Sequence, residues 1–166
     1  MIEVTLETIQ MSLVSPHRIV VLREINVERY LPIWIGPCEA EAIRVRLEDI
    51  PVSRPLTHDL IVNVFDALDA KLSYVYINAL IDSTFYARLV LDVDGREIEV
   101  DSRSSDAIAI AVRTGVAIYV ADEVLEEAGV VPEKDIAAEK DGKENLGVFR
   151  DFLNSLDIEN PPGAGD

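Results

Sequence analysis

The stretch that decides the fold is Asp101-Ser-Arg-Ser-Ser-Asp-Ala-Ile-Ala-Ile-Ala-Val-Arg-Thr-Gly115, which leads from a predicted strand through a polar turn into an apolar helix. Ser104 or Ser105 is predicted to cap this helix, and Asp106 falls in its first turn, where a carboxylate suits the helix dipole. Residues 107–112 include no polar side chain, so we expect the helix to be buried on most sides. The charged residues at its start therefore mark either a structural joint or a functional site.

Strand and helix patterns on both sides of this stretch predict an α+β domain. The predicted strands are residues 3–13, 18–26, 30–35, 72–81, 85–93, 96–101 and 116–121, and the predicted helices are residues 38–50, 57–70, 104–114 and 122–128. Thr57 is expected to cap the second helix, and Asp94-Gly95 is typical of a tight hairpin. A pattern of three strands followed by a helix thus occurs twice, in residues 3–50 and 72–114.

The two three-strand-and-helix segments also share local sequence. With an offset of 65 residues, Glu41 falls on Asp106 near the start of the helix in each segment. Such matches are compatible with an internal duplication and equally with shared strand-helix chemistry. We therefore predict two repeated β-β-β-α units that form an antiparallel or mixed sheet with packed helices.

The C-terminal region differs in composition from the repeated units. Residues 1–125 are expected to form the main domain, and residues 126–158 an acidic helical extension with a helix at 144–156. Residues 159–166, rich in proline and glycine, are expected to be a disordered tail.

Composition and charge limit the classes of protein to consider. The chain of 166 residues is 49% hydrophobic, enough for a substantial core, and its formal net charge of −16 disfavours binding to nucleic-acid phosphates. Ten of the eleven basic residues in positions 1–121 are nevertheless arginine, which suits bidentate binding of carboxylate or phosphate. No apolar run approaches the ~20 residues of a membrane span, and the lone Cys38 fits a reducing compartment. We expect a soluble, cytoplasmic protein.

Four separated motifs resemble those of a known family, the bacterial and plant bifunctional nucleases. The motifs are Leu31-Pro-Ile-Trp-Ile-Gly-Pro-Cys-Glu-Ala-Glu-Ala-Ile43, Arg54-Pro-Leu-Thr-His-Asp-Leu60, Phe85-Tyr-Ala-Arg-Leu89 and Asp101-Ser-Arg-Ser-Ser-Asp-Ala-Ile-Ala-Ile-Ala111. The resemblance covers roughly residues 1–125 and excludes the acidic extension. One departure is Ser104, where the family commonly has proline, so the turn before the helix is expected to be less rigid.

The resemblance implies a nuclease of low specificity that hydrolyses phosphodiester bonds of both DNA and RNA, and we expect a divalent cation, Mg²⁺ or Mn²⁺, to assist the reaction. Two alternatives stay open. The first is a non-enzymatic regulatory or protein-interaction module in which the shared motifs are structural. The second is an enzyme that acts on a small anionic ligand.

Phosphodiester hydrolysis needs an activated water and groups that stabilise charge at the phosphate, and the motifs contain suitable side chains. The candidate catalytic residues are His58, Asp101, Arg103 and Asp106, the candidate phosphate-binding residues are Arg54 and Arg103, and the candidate metal ligands are Asp101, Asp106, Glu39 and Glu41. Each has a structural alternative. Asp106 could cap backbone amides, the arginines could pair with carboxylates that join the two halves, and His58 could be an ordinary partly buried histidine.

Trp34 and the helix faces indicate possible partners. Trp34 alternates with Ile33 and Ile35 in a predicted strand, so it could stack on a base or, more simply, lie in a subunit interface. Sheet edges and apolar helix faces favour a homodimer.

Overall fold

A single mixed sheet of seven strands organises the chain in the computed structural model, which describes residues 1–11 and 17–132. The strands are β1 (Ile2–Met11), β2 (Arg18–Glu24), β3 (Tyr30–Ile35), β4 (Lys71–Ile81), β5 (Thr84–Val93), β6 (Arg96–Arg103) and β7 (Ala117–Val120). Their order is β3-β2-β1-β7-β4-β5-β6, so β3 and β6 are the two edges. Neighbouring strands run antiparallel, except that β4 and β7 run parallel.

Four helices accompany the sheet in the described part of the chain. They are α1 (Pro37–Leu47), α2 (Thr57–Ala67), α3 (Ser104–Thr114) and α4 (Asp122–Ala128). Helix α3 packs against α1, α2 and the sheet, and its residues from Ala107 to Ala111 are buried, as the apolar run predicted. Gly115 ends α3 in the left-handed conformation, with φ of 73°.

The order of the strands reveals two equivalent units. One unit is β1-β2-β3-α1 and the other is β4-β5-β6-α3, while β7 lies between their first strands. Because β7 runs antiparallel to β1 and parallel to β4, the two units point in opposite directions within the sheet. The predicted α+β class and the two β-β-β-α units are therefore confirmed, with α2 as the inserted helix.

The hydrophobic core lies between the sheet and the layer that contains α1 and α3. Among its fully buried side chains are Leu22, Ile33 and Ile77 from strands and Ile43 and Ile108 from helices. Burial of each such side chain stabilises the fold by about 2 kcal/mol. This core fixes where α1 and α3 begin, and their N-termini meet near the ends of the edge strands.

Several predicted helix ends were wrong, for identifiable reasons. Arg103 is the N-cap of α3, and no side chain caps the helix, so neither Ser104 nor Ser105 has the predicted capping role. Likewise Thr57 is the first residue of α2 rather than its cap. The first two helices end three residues early because the chain turns into a left-handed conformation at residues 49 and 69.

Some predictions fall outside the described residues. They include the helix at 144–156, the tail at 159–166 and nearly all of the acidic extension. Between residues 17 and 132, and in residues 1–11, no helix has the length and apolar character needed to cross a membrane.

Candidate functional site

Arg103 lies where β6 ends and α3 begins, and its guanidinium is held by two carboxylates. Its Nε and Nη2 donate to the two oxygens of Asp106, at 2.7 and 3.1 Å, while Nη1 donates to Glu39 Oε1 at 2.9 Å. The bidentate geometry with Asp106 fixes the plane of the guanidinium. Its side chain is still 65% exposed, so Arg103 is both oriented and accessible.

Behind Arg103, Asp106 also binds His58 from helix α2. His58 Nε2 lies 2.9 Å from Asp106 Oδ1, and because an ionised carboxylate only accepts hydrogen bonds, Nε2 carries the proton. Burial raises the pKa of Asp106, but the hydrogen bonds from Arg103 and His58 outweigh it, so its pKa lies below the ordinary value. His58 itself is only 9% exposed.

Glu39 connects the first β-β-β-α unit to the second. It lies in the first turn of α1, directly after edge strand β3, and its carboxylate reaches Arg103 at the end of the other edge strand. Gly36 makes room for this carboxylate, because a Cβ there would lie 2.2 Å from Glu39 Oε2. The ion pair of Glu39 and Arg103 thus joins the two strand-helix corners of the pseudo-repeat.

A second ion pair anchors α2 to α3. Arg113 Nε donates to Asp59 Oδ1 at 2.6 Å, and Arg113 Nη1 donates to the Ala109 carbonyl at 2.7 Å. Burial raises the pKa of Asp59, but hydrogen bonds from the Leu56 N–H and Arg113 bring it below the ordinary value. Because Arg113 is only 5% exposed, this pair holds the helices together and does not offer a cation to solvent.

The structure brings together four of the residues predicted for the site and leaves three apart. Glu39, His58, Arg103 and Asp106 form one continuous set of hydrogen bonds. By contrast, Arg54 is exposed in the segment before α2, Asp101 is exposed on β6, and Glu41 pairs with Arg44 on α1 at 2.8 Å.

The two structural alternatives for the α3 corner have different outcomes. Backbone capping by Asp106 was wrong, because no side chain caps α3. Ion pairing that links the two halves is confirmed by the contacts among Glu39, Arg103 and Asp106. Arg113 and Gly36 were missed. An arginine in an otherwise apolar helix is a signal that a buried acidic partner exists, whereas the role of Gly36 depends on space that only the fold defines.

The four candidate metal ligands do not assemble a metal site. No group of three His, Cys, Asp or Glu side chains in residues 1–11 and 17–132 is placed to hold an ion. The guanidinium of Arg103 occupies the position between Glu39 and Asp106 and neutralises one of their two negative charges. The described side chains therefore do not fit a dedicated Mg²⁺ or Mn²⁺ cage, and a requirement for such an ion stays a prediction.

A cleft of about 820 Å³ opens beside the Arg103 corner. It lies between edge strand β3, the turn that joins β4 to β5, and the start of α3. Trp34 and Phe85 supply aromatic lining, while Glu39, Arg103, Ser104 and Ser105 supply polar lining. His58 and Asp106 are not among the lining residues, so the hydrogen-bond network reaches the cleft through Arg103 and Glu39.

This arrangement is suited to binding an anionic oxygen. Arg103 uses three hydrogen bonds to hold its carboxylates, which leaves two of the five guanidinium N–H groups for a ligand. The start of a helix next to it adds backbone N–H groups without intrahelical partners. The cleft therefore combines a fixed cation, a helix N-terminus and aromatic walls.

Comparisons with known proteins identify the family of the chain. Residues 20–133 match the profile of the bifunctional nuclease domain. Two uncharacterised Mycobacterium tuberculosis proteins, MT1877 and Rv1829, are each 45% identical over 141 residues, which are 83% of this chain and 84% of theirs. Bifunctional nuclease 2 of Oryza sativa subsp. japonica is 31% identical to this chain, and bifunctional nuclease 2 of Arabidopsis thaliana is 26% identical. Each match spans 110 residues, which are 64% of this chain but about a third of the plant protein. The chain belongs to the bifunctional nuclease domain family.

Proposed function

We propose that this protein is a nuclease of low specificity that hydrolyses phosphodiester bonds of DNA and RNA. The observation that carries the proposal is the exposed guanidinium of Arg103, held by Glu39 and Asp106 at the wall of a large cleft. Such a cation is placed to bind the non-bridging oxygens of a phosphodiester and to stabilise the charge that develops on them. Membership of the family supports the reaction class.

The roles of the residues follow from their access to the cleft. Arg103 binds the phosphate, and Glu39, which also lines the cleft, accepts a proton from the attacking water. Water oxygen then bonds to phosphorus, the bond from phosphorus to the leaving oxygen breaks, and that oxygen takes a proton from solvent. Asp106 and His58 are positioning residues in this scheme, since Asp106 orients the Arg103 guanidinium and His58 binds Asp106. Direct catalysis by His58, Asp106 or Asp101, and phosphate binding by Arg54, stay predictions.

The experiment compares wild type with Arg103→Ala and Arg103→Lys, purified identically, on fluorogenic DNA and RNA oligonucleotides. We expect Arg103→Ala to lose about 100-fold or more in kcat/KM, because a preorganised charge at the transition state contributes on that scale. Arg103→Lys should recover little, since an ammonium cannot form the bidentate pair with Asp106. Parallel reactions with Mg²⁺, with Mn²⁺ and with EDTA test the predicted ion.

Arg46→Ala is the matched control, because Arg46 is an exposed arginine paired only with Asp49 among the described residues, at 3.1 Å. It should cleave as fast as wild type. Equal trace cleavage by wild type and Arg103→Ala would indicate a contaminating nuclease and would refute the proposal.

One observation supports the homodimer that the sequence predicts. Helix α2 and its two caps expose an apolar row at spacing of four residues, which comprises Leu56, Leu60, Val64 and Leu68. Residues at this spacing lie on one face of a helix, so the row forms a single surface, here called the α2 stripe. We infer that the α2 stripe is the interface of a homodimer. We also propose that the protein is located in the cytoplasm.

A further inference from the structure

We infer that the cleft beside Arg103 holds a mononucleotide subsite, in which Ser104, Ser105 and the start of α3 bind one phosphate group while Trp34 contacts the base. This inference rests on the proposed nuclease function, because it names the ligand unit that the same cleft takes. It adds two serines and a tryptophan to the binding surface.

The two serines are the observation that points to a ligand. Ser104 and Ser105 are 6% and 7% exposed, and both line the cleft. Among the contacts of residues 1–11 and 17–132, neither hydroxyl takes part in a hydrogen bond, and neither is sealed off from solvent, so both can bond to a group in the cleft. A phosphate oxygen in the cleft would supply the missing partner.

The helix N-terminus adds donors at the same place. Helix α3 has eleven residues and no side-chain cap, so its first backbone N–H groups are left without an intrahelical or side-chain partner. Ser104 and Ser105 are the first two residues of that turn, which puts their hydroxyl and amide groups together. Backbone N–H groups at a helix start bind phosphate through hydrogen bonds and the helix dipole.

Charge explains why neutral donors matter here. Arg103, Glu39 and Asp106 together carry one net negative charge, and the whole chain carries −16. Many simultaneous contacts to a phosphate backbone are therefore unfavourable. One phosphate bound by hydroxyl and amide groups, with the spare N–H groups of Arg103, is compatible with this charge.

The rest of the cleft suits the sugar and base. Its volume of about 820 Å³ exceeds that of a nucleotide, and Trp34 and Phe85 line it. Trp34 is half-buried on edge strand β3, and its ring contacts His17 edge-on with centroids 6.5 Å apart. Stacking of a base on an aromatic ring contributes about 1–3 kcal/mol, so a base that contacts Trp34 while its phosphate binds elsewhere in the same cleft would add to the affinity.

Trp34 is the one tryptophan in the 166-residue sequence, so its fluorescence reports directly on the cleft. The experiment titrates the full chain with AMP in EDTA at low salt, with adenosine and inorganic phosphate as separate ligands. We expect saturable quenching by AMP, and dissociation constants at least about 10-fold weaker for adenosine and for phosphate, since each keeps only half of the contacts.

The variant Ser104→Ala/Ser105→Ala removes the two hydroxyls, and Ser53→Ala, at an exposed serine before α2, is its control. We expect the double variant to bind AMP at least about 10-fold more weakly while adenosine binding stays the same, because two phosphate hydrogen bonds are lost. Circular dichroism checks that both variants are folded. In Trp34→Phe, calorimetry should show weaker AMP binding, with the phosphate contribution retained.

Binding and hydrolysis fail separately in this design. Saturable AMP binding without any cleavage would refute the nuclease and leave the subsite standing. Cleavage with an unchanged KM in the double serine variant, together with no AMP quenching in wild type, would overturn the subsite and leave the nuclease standing. Equal AMP affinity in wild type and the double variant would also overturn it.

Discussion

At the scale of single residues, the Arg103 corner combines a structural and a chemical role. The guanidinium pairs with Asp106 three residues ahead and with Glu39 from the other unit, so it closes the contact between the two units. Arg113, whose pair with Asp59 joins two helices, is buried and does not line the cleft. Arg103 instead keeps most of its side chain in solvent at the cleft, which favours an additional ligand.

The depressed pKa of Asp106 predicts how stability depends on pH. Burial raises this pKa, but the hydrogen bonds from Arg103 and His58 lower it by more, so the folded-state pKa is below that of the unfolded chain. The resulting stabilisation is fully present above the unfolded pKa of about 4 and is lost as pH falls through the folded pKa. Asp106→Asn should lower the free energy of unfolding at pH 7 by about 1–3 kcal/mol and reduce the loss between pH 7 and pH 3.

Urea denaturation at several pH values measures both quantities. Asp49→Asn is the control, because Asp49 lies in a largely exposed pair with Arg46 and should change stability by less than about 0.5 kcal/mol. If the free energy of unfolding depends on pH in the same way for wild type and Asp106→Asn, Asp106 is not the source of the pH dependence.

At the scale of elements, sequence patterns predicted what depends on local interactions. The hairpin at Asp94-Gly95 has both residues at positive φ, 53° and 75°, as a tight turn of this kind requires. The buried character of α3 also followed from its apolar run. Predicted strand and helix ends were less accurate, since the cap of α3 is set by where β6 stops pairing with β5, at Arg103.

The partners of α2 illustrate what the sequence could not provide. His58 and Arg54 belong to one short motif, yet His58 reaches Asp106 across 48 residues while Arg54 stays exposed outside the network. Periodicity shows which face of α2 is apolar, but the crossing of α2 over α3 depends on tertiary packing. The candidate residues could therefore be named from motifs, whereas their grouping into a site required the fold.

Asp59 and Arg113 give the element-scale prediction. Asp59→Asn removes the charged partner of Arg113, whose side chain is only 5% exposed. An uncompensated positive charge then remains between the two helices. We expect a loss of about 2–4 kcal/mol in the free energy of unfolding, near the range for broken buried pairs. Asp59→Asn/Arg113→Met should be less destabilising than Asp59→Asn alone, because the unpaired charge is gone. Thermal and urea unfolding measure the free energy of unfolding of each variant. A double variant less stable than Asp59→Asn alone would show that the unpaired charge of Arg113 is not the cause of the loss.

At the scale of the whole molecule, the sheet edges and the α2 stripe compete as association surfaces. Edge strand β6 carries Glu97, Glu99 and Asp101, so pairing with the same edge of a second copy would oppose like charges. The α2 stripe bears no charge in its four apolar positions. Burial of apolar area is the main favourable contribution to association, so we expect copies to meet through α2.

The homodimer prediction can be tested by measuring the mass in solution and the AMP affinity of the same variants. Wild type should elute in light-scattering chromatography with twice the chain mass of 18.4 kDa, while Leu60→Glu/Val64→Glu should be monomeric, because four introduced charges would face each other across the two-fold interface. Val27→Glu, at an exposed apolar residue between β2 and β3, should remain dimeric. A monomeric wild type would refute the interface. Arg103 and the cleft lie at the α3 corner and not on the α2 stripe, so the monomeric variant should keep the AMP affinity of wild type. If the monomeric variant also loses AMP binding, the second copy completes the subsite.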